Sequence, residues 1–336
     1  MEEIESGDNN IGKIPFYANI HEPKEKEIMD ELLGKLTRRI FEFPLEEYTE
    51  NEKEKLIEFY EYCIKQNYKI PRKNKSGKFY YPNILRQLQG ADYDIVKGFK
   101  EITKEIAFKN EKLPIEINDD FIKIMNSGFL YVHGRDKCYR PLIFFNPGLF
   151  TSIEVPLEAW ESFGVYFMEF LIHKFLLPSK VENWNIIVDL GDLSMTNIPY
   201  QLKDIFTAFK GIYRCRLYRL YLLNMNFVFS IVWNVIKMIM GPTLEAKACK
   251  VDTNDGEYDL LFQSINRNQV EKKYGGKAGD LKPGEYYPPK FVSDNYFCVE
   301  KSEQDYEDKN QFLNDKNIDS FKDNDSRIIF YEARTN

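Results

Sequence analysis

Residues 220–240 read LYLLNMNFVFSIVWNVIKMIM, and the fold depends on how this run is divided. A hydropathy window scores it as a membrane span. Asn224, Asn226, Ser230, Asn234 and Lys237 interrupt it, however, and a lysine near the centre of a bilayer costs up to ~3 kcal/mol. The run is better divided into a buried strand ending near Asn224, a turn, and a helix from about Ser230 to Met240. That helix carries Ile231, Val232, Trp233, Val235, Ile236, Met238, Ile239 and Met240 on nearly every face. At ~1.5 Å per residue it is about 16 Å long, about half a bilayer core. A short helix apolar all round is either interior core or a lid over something apolar that is not protein. The pattern alone leaves both readings open.

Working outward, the region after Pro114 alternates short apolar runs with amphipathic helices, which predicts a sheet with crossover helices. Strands are expected at 128–132, 140–145, 185–190 and 220–224. Trp160, Phe163, Phe167, Leu171 and Phe175 recur at helical spacing, and Pro178 closes that helix. A capped helix is expected from Asn197 and Pro199 to Phe209. Before Asn110 the periodicity is helical, with stripes Ile28-Leu32-Leu36-Ile40, Leu56-Tyr60-Cys63-Ile64 and Ile95-Phe99-Ile102-Ile106. Thr49 and Glu52 have the spacing of a capping box. The expected organisation is a mobile arm at 1–20, a helical unit at 21–113, an α/β ligand-binding domain at 114–300 and an acidic, partly disordered tail at 301–336. That tail holds nine acidic and six basic residues, with few large apolar groups before Ile328.

The composition narrows the function. Of 336 residues, 43% are hydrophobic and 15% aromatic, which fits either dense packing or a lined apolar cavity. The formal charge of −7 disfavours a nucleic-acid partner, whose phosphates require a wide basic surface. The acidic start, with Glu2 where myristoylation needs Gly, predicts no secretory signal and no N-myristoylation. Cys63, Cys138, Cys215, Cys249 and Cys298 have neither CxxC nor zinc-ligand spacing, so a reducing cytosol is expected and no metal or redox cofactor is implied. Three scattered histidines and the absence of GxSxG, HExxH, P-loop and GxGxxG patterns predict a protein that is not an enzyme. Asp252–Gly256 lacks the glycine and carboxylate positions of a calcium loop and reads as a polar turn. The basic stretch from Lys65 to Lys78 reads as a solvated loop, with contact to anionic lipid as the alternative.

The ordered motifs from about Tyr81 to Gly276 resemble those of the CRAL-TRIO family of hydrophobic-ligand carriers, which includes phosphatidylinositol transfer proteins. Asn-Ile-Leu-Arg86-Gln-Leu with Tyr93-Asp94 resembles that family's LLRFLRARKFDV segment, with Gln89 and Ala91 at two of its arginine positions. Gly134-Arg135-Asp136 through Arg140-Pro141 resembles its GxDxxGRPV hairpin, with Tyr139 in place of a glycine. Val188-Asp189-Leu190, Tyr213-Arg214-Cys215-Arg216, Phe227-Val-Phe229-Ser through Trp233, Lys237 and Pro242, and Tyr274-Gly275-Gly276 follow in the family's order.

The resemblance implies a fold with an N-terminal helical unit and a mixed sheet flanked by helices, enclosing a lipid pocket under a gate helix. Phe227, Phe229, Val232, Trp233 and Ile236 would line the pocket or the membrane-facing side of the gate. Phosphoinositide-binding members resemble one another in a glutamate, which is Cys215 here, and in a threonine and a lysine, which are Leu244 and Lys247. Trp184 and Ile186 replace the small hydroxyl residues of phosphatidylcholine-binding members. Lys247 would contact a phosphate, and a solvated surface lysine is its other reading. The implied partners are a phospholipid and, transiently, a membrane surface, for a cytoplasmic protein associating peripherally with membranes. The rival is a scaffold for a lipid kinase or small GTPase with a vestigial pocket.

Overall fold

The computed structural model describes residues 16–70, 80–194, 196, 201–209, 211–227, 229, 233, 241–251 and 258–286. They form two compact units, one of residues 16–40 and 112–286, the other of residues 41–111. The chain starts with short helices α1 (Phe16–Ile20) and α2 (Glu25–Ile28), then an antiparallel hairpin of β1 (Met29–Leu32) and β2 (Lys35–Arg38). The Ile28-Leu32-Leu36-Ile40 stripe is therefore not helical. A spacing of four fits period 2 as well as period 3.6, and the turn decides: Leu33 and Gly34 both take positive φ, 54° and 71°, as a two-residue hairpin loop requires. Leu33 and Leu36 are exposed.

The second unit is helical, as its periodicity predicts. It holds α3 (Glu50–Lys65), α4 (Tyr81–Gly90) and most of α5 (Ile95–Lys112). Thr49 and Glu52 form the expected capping box, each side chain satisfying the other's backbone amide at the start of α3. Glu105, 1% exposed on α5, accepts from Asn83 and Gln87 of α4 and so ties the two helices together.

The larger unit continues with α6 (Asp119–Asn126), β3 (Leu130–Arg135), β4 (Pro141–Phe145), α7 (Leu157–Lys174), β5 (Trp184–Asp189), α8 (Leu202–Phe209), β6 (Leu217–Leu223) and β7 (Ala248–Lys250). The sheet order is β3-β4-β5-β6-β7, with the first pair antiparallel and the rest parallel. The front part of the 220–240 run is thus a strand inside the sheet. The expected helix start at Asn197 and Pro199, the turn at 252–256, most of the helix at 230–240 and the tail from Lys301 lie outside the described residues.

Alternation gives the sheet two different faces. One carries the paired row Tyr131, Phe144, Ile187, Tyr221 and Cys249, and segment 258–286 seals it. Tyr131 stacks on Phe144 and Phe144 on Tyr274, while the Tyr131 hydroxyl donates to the fully buried Glu271. Gly134, at φ 74°, lies where β3 meets this segment. A Cβ there would stand 2.1 Å from the Gln269 carbonyl, so only glycine fits.

The β3–β4 turn is organised by Asp136, which is 2% exposed. Its Oδ1 accepts from the amides of Cys138 and Arg140 at 2.9 and 2.8 Å. Its Oδ2 accepts from Arg140 Nη1 at 3.2 Å and Asn185 Nδ2 at 2.9 Å. Tyr139, at the family's glycine position, is left-handed at φ 61°. Removing the carboxylate leaves four donors and the buried Arg140 charge uncompensated. Asp136→Ala should lose ~3–5 kcal/mol, and Asp136→Asn, which keeps one acceptor, should lose less. Urea unfolding with an unchanged slope is the check.

Candidate functional site

The other face of the sheet is aliphatic. Its pairing gives one row of Val132, Ile143, Ile186, Leu220 and Ala248, and a second of Leu130, Phe145, Val188, Leu222 and Lys250. Val188, Leu190, Leu193 and Leu222 cluster with Phe229 and Trp233, which are 5% and 8% exposed. Phe145, Ile186, Leu220, Met225 and Ala248 pack against that cluster but stay only partly buried. The middle of a sheet is normally its best-covered part, so the partly buried Phe145, Ile186 and Leu220 on β4, β5 and β6 mark a surface suited to hydrocarbon.

The polar residues that break the hydropathy of the 220–240 run fasten the ring pair here. Asn224 Nδ2 donates to Asp189 Oδ1 at 2.8 Å, and Asn226 Nδ2 donates to the Leu193 carbonyl at 2.7 Å. Asn226 Oδ1 accepts from the Phe229 amide at 3.2 Å, the geometry of a helix N-cap. Phe229 and Trp233 then meet at 5.1 Å between ring centroids. Of the six residues singled out by the sequence, these two are brought together. Phe227 stands 76% exposed. Val232 and Ile236 lie outside the described residues.

Lys247 is placed apart from the rings. It is 6% exposed, and its ammonium donates to the Leu217 carbonyl at 2.5 Å at the start of β6. Burial, reinforced by the charge of Arg39, pushes its pKa down to about 8. Arg39, 3% exposed, pairs with Asp30 at 3.3 Å, while its buried Nε has no hydrogen-bond partner among the described residues. The guanidiniums of Arg140, Arg219 and Arg39 lie 3.6, 5.6 and 5.7 Å from the centroid of the Tyr218 ring. Tyr218 is the extra residue where the β5–β6 register shifts, a bulge that turns its ring toward these cations.

The sheet therefore has a cationic end at the start of β6 and an aromatic end beyond its last residue, Leu223. Along β6 these are separated by about 20 Å at ~3.3 Å per residue. An amphiphile with one anionic group and long apolar chains matches that layout. Among the described residues no group of three His, Cys, Asp or Glu side chains is placed to hold a metal ion. Sequence reasoning missed Arg39, Tyr218 and Lys250. Only Lys250 had a signal, being two positions beyond Ala248 and so on the same face.

Residues 125–276 match the family model described as the CRAL/TRIO domain. Over 204 residues the chain is 24% identical to a CRAL-TRIO domain-containing protein of Schizosaccharomyces pombe, covering 57% of this chain and 45% of that one. Over 213 residues it is 24% identical to the phosphatidylinositol transfer protein CSR1 of Eremothecium gossypii, covering 59% and 48%. The chain spans about half the length of the curated relatives it matches. The fold is similar to the crystal structure of Sfh5, with a TM-score of 0.52 and 15% identity over 72% of this chain and 93% of that one.

Two stability measurements follow from the geometry. Because the Lys247 pKa is lowered on folding, the unfolded chain binds more protons above about pH 8. The penalty is full below that pH and is relieved as pH rises toward the ordinary lysine value. Between about pH 7 and about pH 10, wild type should therefore gain ~2–3 kcal/mol relative to Lys247→Met in urea unfolding. Asp at Trp233 should cost several kcal/mol through burial of an unpaired polar group, whereas Asp at Phe227 should stay within ~0.5 kcal/mol.

Proposed function

We propose that the chain binds a phospholipid and exchanges it between membranes, with phosphoinositides as the favoured class, because residues 125–276 match the CRAL/TRIO domain model. The partly buried apolar patch of Phe145, Ile186, Leu220 and Ala248 beside Phe229 and Trp233 carries this reading. Acyl chains laid on that row leave bilayer hydrocarbon for protein hydrocarbon at little net cost, and are kept from water at ~0.8 kcal/mol per CH₂.

The charge at the other end supports an anionic headgroup. A phosphate beside Lys247 and Arg39 would favour the charged form of a lysine that burial penalises and would offer an acceptor to the Arg39 Nε. Cys215, at the glutamate position of phosphoinositide binders, leaves the inositol contacts of this chain different from theirs. No chemistry on the lipid is needed for exchange, so the carrier would act without ATP or metal.

Mass spectrometry of an organic extract of the purified protein should find a phospholipid. Vesicle assays should find transfer of labelled phosphatidylinositol above a protein-free blank, and Asp at Phe227 should lower it. No bound lipid together with blank-level transfer of phosphatidylinositol, phosphatidylcholine, phosphatidylserine and sterol would instead favour the scaffold for a lipid kinase or small GTPase. Lys247→Met should slow transfer of an anionic lipid about tenfold, equivalent to ~1.4 kcal/mol, while a neutral lipid is little affected.

A further inference from the structure

Lys250 is the one charged residue in the two aliphatic rows, and it ends the row that pairs Phe145, Val188 and Leu222. Its side chain is exposed, yet its ammonium stands 5.9 Å from the Phe229 ring centroid and 5.7 Å from that of Trp233. A cation over two ring faces is attracted by both quadrupoles. One lysine thus joins the sheet edge to the aromatic pair that covers the apolar rows.

We propose that Lys250 makes lipid exchange depend on the charge of the membrane: its ammonium leaves the Phe229–Trp233 pair for an anionic headgroup, and the rings lose a contact that holds them on the sheet. This rests on the carrier reading. The partner surface is a bilayer bearing anionic lipid, by charge complementarity. The chain as a whole carries −7 and is repelled by such a surface, so a cation beside the rings acts against the general field. The attraction of one exposed lysine to an anionic leaflet is of the same order as a solvent-exposed cation–π contact. Exchange between the two is therefore near balance, which is what makes it responsive. Phe227, 76% exposed and two residues ahead of Phe229, adds an aromatic ring able to enter the interface.

The test compares transfer of pyrene-labelled phosphatidylinositol to acceptors of phosphatidylcholine alone and of phosphatidylcholine mixed with phosphatidylserine, for wild type, Lys250→Met and Lys250→Arg. Wild type should be accelerated by phosphatidylserine, and Lys250→Met should lose about fivefold of that acceleration, ~1 kcal/mol. Lys250→Arg, which keeps charge and ring contact, should retain it. Equal acceleration of wild type and Lys250→Met would overturn the proposal. If wild type transfers nothing to either acceptor, the carrier reading fails, and vesicle flotation still judges Lys250. Weaker recovery of Lys250→Met on phosphatidylserine vesicles supports its role at the surface, and equal recovery overturns it.

Discussion

The buried carboxylate of Asp136 is the point on which the sheet and its cationic end both depend. Two stretches of chain converge there: the β3–β4 turn, through Cys138 and Arg140, and β5, through the side chain of Asn185. Each brings a donor that water cannot reach, and one acceptor group answers all of them. Arg140, fixed by the same carboxylate, then reaches the Tyr218 ring on β6. A buried ion pair contributes little net stability against a well-packed apolar replacement. Its value lies in geometry, because it fixes where Tyr218 stands and therefore where Arg39 and Arg219 gather.

The two faces of the sheet show how residue choice separates structure from function. On the sealed face and the segment over it, the tyrosine hydroxyls are satisfied: Tyr131 by Glu271, Tyr221 by Ser264, Tyr274 by Asn146. Such rings combine large apolar area with one directional bond, so they specify a single packing arrangement. On the other face the central residues are Ile143, Ile186, Val188, Leu220 and Leu222, which carry no polar handle. That surface excludes water without specifying the shape of what covers it.

Much of this was legible in the sequence, for identifiable reasons. Strands β4, β5 and β6 are short β-branched or aromatic runs bounded by turn residues, and α7 repeats Trp160, Phe163, Phe167 and Leu171 at helical spacing. The capping box at Thr49 and Glu52 is local and so could be read locally. The hairpin at 29–38 was misread because four-residue spacing is shared by both periodicities, leaving Gly34 as the single arbiter. The cationic end was hidden for another reason. Lys247 acquires its environment from Arg39 and Asp30 on the far N-terminal hairpin, and no spacing rule connects residues so distant in sequence. The same remoteness hid Tyr218, whose position depends on a register shift that only strand pairing reveals.

The cations at the two ends of the sheet are held in opposite ways, and this gives them opposite uses. Lys250 is exposed, so water screens it and its attraction to any one anion is weak and quickly exchanged. Lys247 is buried, with its pKa pushed down to about 8, so the folded protein carries the cost of a desolvated ammonium. An anion beside it would favour the charged form further, and in a medium of low dielectric that attraction is strong. That cost is stability lost from the fold. A ligand that binds only the folded state returns it as a mass-action gain in stability.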